Sequence, residues 1–235
     1  MALLAALGRN LEQALLPNAC VFCGARCEHG ERPICEPCNL DLPWIDHACV
    51  RCATPVVTQL PQGVHCAACQ QDPPPFEMAL APLAYAFPVD AAIKAMKFKR
   101  KLSYAPMFAT ILGASIASLP AGIDAFLPVP LHWRRHALRG FNQAAEIAKP
   151  ISKMSGIPVI RNVFRVRATP YQSGIAAERR QGNLQGAFSV RGVLQARHVL
   201  VIDDVITTGE TCRQVAQALL EADVERVSVL AIARA

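Results

Sequence analysis

The chain has 235 residues, of which 52% are hydrophobic, enough for one large domain or a domain with a small module, and too apolar for a disordered polyelectrolyte. Its formal charge of +6 is unevenly placed: residues 1–78 carry four Arg, no Lys and eight Asp or Glu (net −4), whereas residues 79–235 carry 20 Lys or Arg against 10 Asp or Glu (net +10). The basic part suits phosphate, nucleotide or nucleic acid, although a soluble surface with a sign bias explains charge alone equally well. The acidic part argues against direct nucleic-acid binding by that half.

The opening MALLAALGRNLEQALL lacks a basic n-region, and Arg9 and Glu12 interrupt it. Its leucines at 3, 4, 7, 11 and 15 fall near one helical face, so the reading is a short packing helix and a cytoplasmic protein. Nine of the ten cysteines follow within the first 69 residues, and eight form C-x-x-C pairs: CVFC (Cys20, Cys23), CEPC (Cys35, Cys38), CVRC (Cys49, Cys52) and CAAC (Cys66, Cys69). Two residues between thiolates let both reach one metal, and two such knuckles complete a tetrahedral shell, so four pairs imply two structural zinc ions. Sequential pairing gives two small ribbons in series; interleaved pairing gives a RING-like module. Cys27 is left over. Disulfides or a redox pair fit less well, without a secretory signal or a thioredoxin-like context. A module with so little apolar core needs metal to fold. The prolines from Pro73 mark a boundary, with residues 1–78 as a zinc-ribbon module and 79–235 as a second domain.

Beyond the boundary, ALAPLAYAF reads as a strand and PVDAAIKAMKFKRKLSYA as a helix ending in a basic run of Lys94, Lys97, Lys99, Arg100 and Lys101. Residues 102–123 carry no charge, but Pro106, Pro120 and three Ser favour a small-residue helix packed on a sheet over a membrane span, so no stable membrane insertion is expected. DAFLPVP is a short strand, and FNQAAEIA is helical with Phe141, Ala145 and Ala148 aligned. IPVIRNVFRV, HVLVIDD and VERVSVLAIA are strands, and CRQVAQALLEA is a helix. Alternating strands and helices with near-continuous apolar strands indicate a parallel α/β sheet, whose ligands bind beyond the carboxyl ends of the strands.

HVLVIDDVITTGET carries the strongest signal. VLVI reads as the buried strand and DDVITTGET as the turn at its end. Gly209 allows a backbone shape barred to other residues, Thr207, Thr208 and Thr211 offer hydroxyls, and the following amides form an anion cradle at a helix start. The G-x-x-x-x-G-K-[ST] and G-x-G-x-x-G patterns are absent. Asp203 and Asp204 would repel a phosphate unless they face sugar hydroxyls or magnesium. A ligand with a phosphate at one end and ribose hydroxyls behind it satisfies both demands. A helix start that merely uses Asp and Thr as caps explains one acid and one Thr, not the whole run.

VLVIDDVITTGET resembles the 5-phosphoribosyl 1-pyrophosphate (PRPP) motif of type I phosphoribosyltransferases. With LLPNACVFC, VPLHWRRHALRGFNQAAEIA and TPYQSGIAAERRQGNLQGAF in the same order, the chain resembles the ComF family of competence-associated, GntX-like proteins. The resemblance implies a type I phosphoribosyltransferase-like sheet with flanking helices after the zinc module. It implies that Asp203 and Asp204 hold the ribose hydroxyls of PRPP and that Thr207, Thr208, Gly209, Glu210 and Thr211 wrap its 5-phosphate. Glu210 stands where many relatives have a small residue, so its carboxylate must point away. Pro130 and Leu131 would open the pyrophosphate loop, with Arg134 and Arg139 near the leaving group, and Gly140 and Asn142 would shape the start of the next helix. Gln172, Arg179 and Asn183 would lie in the lid. Two functions follow. One is a transferase moving phosphoribosyl from PRPP, with magnesium, to an unknown acceptor. The other is a non-catalytic protein of natural transformation that handles single-stranded DNA or senses PRPP, among competence or recombination proteins. For the second, the run from Lys94 to Lys101 offers backbone contacts, and Phe98, Trp133 and Phe141 offer stacking faces.

Overall fold

The computed structural model describes residues 19–27, 33–166 and 186–235, with the side chains of residues 134–136 excepted. The N-terminal leucine-rich stretch, and Gln172, Arg179 and Asn183, lie outside the described residues.

Two short helices, α1 (Glu36–Leu40) and α2 (Ala67–Gln71), run through the second and the fourth C-x-x-C pairs, each starting directly after a cysteine. The main sheet then begins at β1 (Met78–Leu80). The stretch expected as a single strand is broken at Ala81–Pro82 into β1 and β2 (Leu83–Ala84), because proline cannot donate to a ladder. Both pieces pair in parallel with β7 (Arg226–Arg234), which pairs with β6 (His198–Ile206), which pairs with β3 (Ala125–Pro128). The order is β1–β7–β6–β3, all parallel.

Three helices cover one face: α3 (Val89–Lys99), α4 (Tyr104–Ser115) and α6 (Gln143–Ser155). Their buried residues Ile93, Met96, Phe108, Leu112, Ile147 and Ile151 pack on Leu200, Ile202, Leu230 and Ile232. α7 (Glu210–Leu220) covers the other face, where Val215 and Leu219 meet Val199, Val201, Val227 and Val229. Side chains alternate between faces along each strand, so a strand buried on both sides must read as one apolar run. The uncharged stretch 102–123 contains α4, an ordinary packing helix. Among the described residues no helix is long and apolar enough to cross a membrane.

The zinc module closes an edge of this sheet. Trp44 bridges Leu83, Ile45 N–H donates to Pro82 O (2.9 Å), Ala84 N–H to Pro43 O (2.8 Å) and Ala79 N–H to Val50 O (3.0 Å). An exposed strand edge invites pairing with other chains, and residues 43–50 occupy that position here. At the other edge, IPVIRNVFRV divides. Val159 bridges β3 in parallel, whereas β4 (Val163–Arg165) turns away to pair antiparallel with β5 (Phe188–Val190). Asn162 donates to Arg191 O at the division.

The helix expected at FNQAAEIA begins one residue after Asn142. The Asn142 amide oxygen caps it by accepting from Ala144 and Ala145 N–H (3.0 and 3.4 Å), and its NH2 donates to Val129 O (2.9 Å). Phe141 therefore precedes the helix, and the buried face is Ala144, Ile147, Ala148 and Ile151. The last short helix, α5 (Trp133–Arg139), follows β3 after Pro130, Leu131 and His132.

Candidate functional site

The cysteines separate into two clusters, Cys20–Cys23–Cys35–Cys38 and Cys49–Cys52–Cys66–Cys69, with the sulfurs of each within 4.8 Å of one another. The pairing is thus sequential, and the interleaved alternative is overturned. Four sulfurs about 2.3 Å from one tetrahedral zinc stand roughly 3.8 Å apart; Cys23 and Cys35, and likewise Cys52 and Cys66, are 3.6 Å apart. Ionisation is uneven in both clusters. Burial opposes the Cys20 thiolate, but the N–H groups of Cys23, Cys35 and Phe22 outweigh it and bring the thiol down to about 6. Cys49 is brought to about 7 in the same way, against burial, by the N–H groups of Cys66, Cys52 and Arg51. Cys38 and Cys69 are pushed up, first by burial and then by their neighbouring sulfurs. Four thiolates this close need a cation between them, and the donor set suits zinc. Cys27 stands apart, with its thiol toward Ala25 O at 4.0 Å.

At the carboxyl end of the sheet, β6 does not stop at VLVI. Asp203, Val205 and Ile206 stay in register with Ala231, Ala233 and Arg234 of β7, so both carboxylates sit on the strand and not in the turn. Strand alternation then splays them. Asp204 faces α3, where Lys97 Nζ lies 3.0 Å from its Oδ1. Asp203 lies on the side of α7, its charge felt by the buried Cys212. Its Oδ1 accepts from Asp204 N–H at 2.8 Å. Burial, followed by the Asp204 charge, raises the Asp203 carboxyl to about 7, against the opposing pull of Lys97 and Arg165.

The turn proper is Thr207–Thr208–Gly209. Both threonines are exposed, and Gly209 takes φ +80°, a left-handed value that side chains rarely adopt, as it starts α7. Nothing near Gly209 crowds a Cβ, so backbone conformation alone demands glycine there. Glu210 is buried, and its Oε1 accepts from Gln214 Nε2 (2.9 Å) one helical turn on, away from the loop mouth. Thr211 is half-buried in the first turn of α7.

Leu131 is half-buried just beyond the end of β3. Arg139, at the end of α5, donates to Gln143 Oε1 (3.3 Å) and lies 5.6 Å above the Phe98 ring. Arg134 lies on α5, and Arg179 is outside the described residues. The basic run divides by role. Lys94 pairs with Asp90 at 2.6 Å and Lys97 with Asp204, whereas Lys99, Arg100 and Lys101 are exposed. Phe98 (65% exposed) precedes them on α3, and Trp133 (66%) opens α5.

Four residues that hold this region escape a reading of the sequence. Lys97 looks there like one more member of the basic run, not a partner of the acids. Arg213, on α7, donates to Asp72 O (3.1 Å) and Pro73 O (3.2 Å) and pairs with the Asp72 carboxylate. Arg234, at the end of β7, donates to Ile206 O and Thr207 O and to the fourth residue, Thr54, at its Oγ1 (3.0 Å). These three partners of Arg234 lie 27 to 180 residues away, and no local pattern announces them.

Residues 11–70 match the double zinc ribbon domain family. The DNA utilization protein YhgH of Shigella flexneri is 32% identical over 226 residues, which span 93% of this chain and 98% of that protein. Competence protein F of Haemophilus influenzae is 28% identical over 228 residues, 92% of this chain and 96% of that one. The chain belongs to the ComF family. As a ComF-family protein it joins a Cys-rich double zinc ribbon to a phosphoribosyltransferase-like parallel α/β sheet. A shorter likeness, 32% identity over 76 residues, relates 32% of this ComF-family chain to 39% of the hypoxanthine/guanine phosphoribosyltransferase of Methanohalobium evestigatum.

Proposed function

We propose that the mouth formed by β6, the Thr207–Thr211 loop and α7 binds PRPP and serves phosphoribosyl transfer to an acceptor. The observation that carries this reading is the pair of splayed carboxylates at the end of a buried strand, followed within five residues by an exposed Thr-Thr-Gly turn and an open helix start. Amides and hydroxyls of Thr207, Thr208, Gly209, Glu210 and Thr211 suit a 5-phosphate, and the dipole of α7 adds positive potential there. Asp203 and Asp204 accept hydrogen bonds and so suit vicinal ribose hydroxyls. The segment at Pro130 and Leu131, with Arg134 and Arg139 on α5, suits the pyrophosphate, and Arg179 extends that set. Magnesium accompanying PRPP would neutralise charge on the leaving pyrophosphate. The acceptor's nucleophile attacks the anomeric carbon as the bond to pyrophosphate breaks. The likeness of part of the chain to a named phosphoribosyltransferase supports the same reading.

Calorimetric titration of PRPP with magnesium tests binding. The wild type should bind, and Asp203→Ala with Asp204→Ala should lose about 1.5–3 kcal/mol per charge-assisted hydrogen bond removed. Equal affinity in the two proteins, or no binding by the wild type, overturns the assignment. Pyrophosphate release from PRPP across a pool of bases, nucleosides, amines and single-stranded DNA then separates a transferase from a sensor.

A second reading, handling of single-stranded DNA, is favoured by one observation: exposed Phe98 adjoins Lys99, Arg100 and Lys101 with Arg139 over its ring, and exposed Trp133 starts the helix that ends at Arg139. Aromatic faces beside cations are the sequence-tolerant means of holding a single strand. The names of two relatives, a DNA utilization protein and a competence protein, agree with it.

A further inference from the structure

We infer that the second zinc ribbon positions the Thr207–Thr211 loop, with Thr54 as the positioning residue that joins a zinc-ligand sulfur to the loop through Arg234. The inference deepens the PRPP reading above and rests on it only for the identity of the ligand.

Thr207 and Thr208 are exposed, and the turn joins the helix start through Arg213 N–H to Gly209 O (2.9 Å) and a long bond from Glu210 N–H to Thr208 Oγ1 (3.4 Å). Further support comes from outside. Arg234 Nη1 grips the Ile206 and Thr207 carbonyls on the approach to the turn, and Arg234 Nη2 donates to Thr54 Oγ1 (3.0 Å). Thr54 closes the knuckle of Cys49 and Cys52: its carbonyl accepts from Cys49 N–H (2.9 Å), and its hydroxyl lies 3.1 Å from Cys52 Sγ. On the far side of the turn, Arg213 reaches Asp72 and Pro73, directly after α2, which carries Cys69. Both flanks of the loop are thus strapped to one ribbon. A cavity of about 310 Å³ lies between them, bordered by Cys52, Cys69, Thr54, Thr208, Gly209 and Arg234.

With Cys52 as a zinc ligand, its sulfur would accept from the Thr54 hydroxyl, whose oxygen accepts from the Arg234 guanidinium. Arginine, hydroxyl and sulfur then align head to tail toward negative charge, an arrangement that strengthens each bond. The first ribbon is anchored elsewhere. Its Phe22 ring packs against Tyr104 of α4 at 5.6 Å, and its Cys20 belongs to the core on the α3–α4–α6 face.

The test uses the full zinc-loaded chain and two substitutions, Thr54→Val, which keeps shape and removes the hydroxyl, and Thr54→Ser, which restores it. Two readouts need no PRPP: hydrogen exchange at amides 207–211, and release of each zinc to a chromogenic chelator, assigned by alkylation of the freed cysteines. Thr54→Val should raise exchange in the loop about tenfold and speed release from the Cys49–Cys69 cluster several-fold, with the first cluster unchanged and Thr54→Ser close to wild type. Wild-type exchange in Thr54→Val, or equal effects on both clusters, overturns the inference. PRPP enters as a third arm. By reciprocity it should raise the zinc affinity of the second cluster alone, read as less zinc passed from it to the chelator at equilibrium. If the wild type binds no PRPP while Thr54→Val still loosens the loop, the coupling stands and the ligand assignment falls. If PRPP binds but loop exchange is unmoved, the reverse holds.

Discussion

Lys97 Nζ lies 3.0 Å from Asp204 Oδ1, and the two side chains are only 21% and 15% exposed. This pair links the carboxyl end of α3 to the carboxyl end of β6 across the candidate ligand mouth. It places one lysine of a run that otherwise faces solvent into the charge balance of the paired acids. Two carboxylates on adjacent residues repel, and a half-buried cation offsets that repulsion more than a solvated one does.

Lys97→Met should therefore weaken binding of PRPP with magnesium by about tenfold, on the order of 1.4 kcal/mol, because it leaves the acids unbalanced against an anionic ligand. Lys101→Met, at an exposed position, should leave affinity within twofold. Calorimetry on both variants checks this, and equal affinities would remove Lys97 from the site.

Asp203 supplies a pH dependence. Its folded-state carboxyl is raised to about 7, first by burial and then by Asp204. An acid raised above its unfolded value holds its proton longer in the native state, so it lowers stability progressively as pH climbs from about 4 to about 7. Asp203→Asn should match the wild type near pH 4 and exceed it above pH 7, by on the order of 1–2 kcal/mol, in thermal melts of the free protein. The same substitution should abolish the tightening of PRPP binding expected in the wild type as pH rises through about 7. A melting difference independent of pH would show that Asp203 is ionised throughout.

Elemental analysis of protein purified without added metal should give two zinc ions per chain. Stripping them should reach beyond the ribbons, since residues 43–50 pair with β1 and β2. Hydrogen exchange should therefore rise across 78–84 as well as 20–69, while the β6–β7 ladder stays protected. Loss of zinc with exchange confined to 20–69 would mean that the edge strand stands without its cover.

Single-strand binding should depend on Phe98 and Trp133. Each Phe98→Ala or Trp133→Ala substitution should cost roughly 1–3 kcal/mol per stacked base. Neutralising Lys99, Arg100 and Lys101 together should flatten the slope of log affinity against log salt by about 0.7 for each phosphate that is no longer neutralised. Fluorescence anisotropy with an oligonucleotide across a salt series distinguishes these effects. An unchanged slope in the triple variant would place the strand elsewhere.

What the sequence makes legible is what is written locally. Four C-x-x-C pairs declare two clusters because a knuckle is closed by neighbours in sequence, and sequential pairing is the arrangement found. β6 and β7 are visible because burial on both faces leaves one apolar run. The end of β6 is not, because Asp203 and Asp204 look like turn residues; the ladder with β7 carries them into the strand. The break at Ala81–Pro82 and the division of IPVIRNVFRV depend on what covers each sheet edge, which no run of residues declares. Lys97, Arg213, Arg234 and Thr54 are hidden for the same reason: each acts across an interface that exists only once the sheet has formed.

Strand β1 leaves the ribosome some 150 positions before its partner β7, with Leu80 meeting Leu230. The ribbons can take metal as soon as Cys69 emerges, whereas the first segment of the sheet must wait for its neighbour, and non-local parallel pairing forms slowly. During synthesis the metal-closed module can therefore pair residues 43–50 with Ala79 and Ala84 as it does in the finished fold, covering the outer edge of β1 and β2 before β7 arrives on the other side. On that order of events, zinc supplied during translation should raise the fraction of the chain that folds, compared with zinc added afterwards.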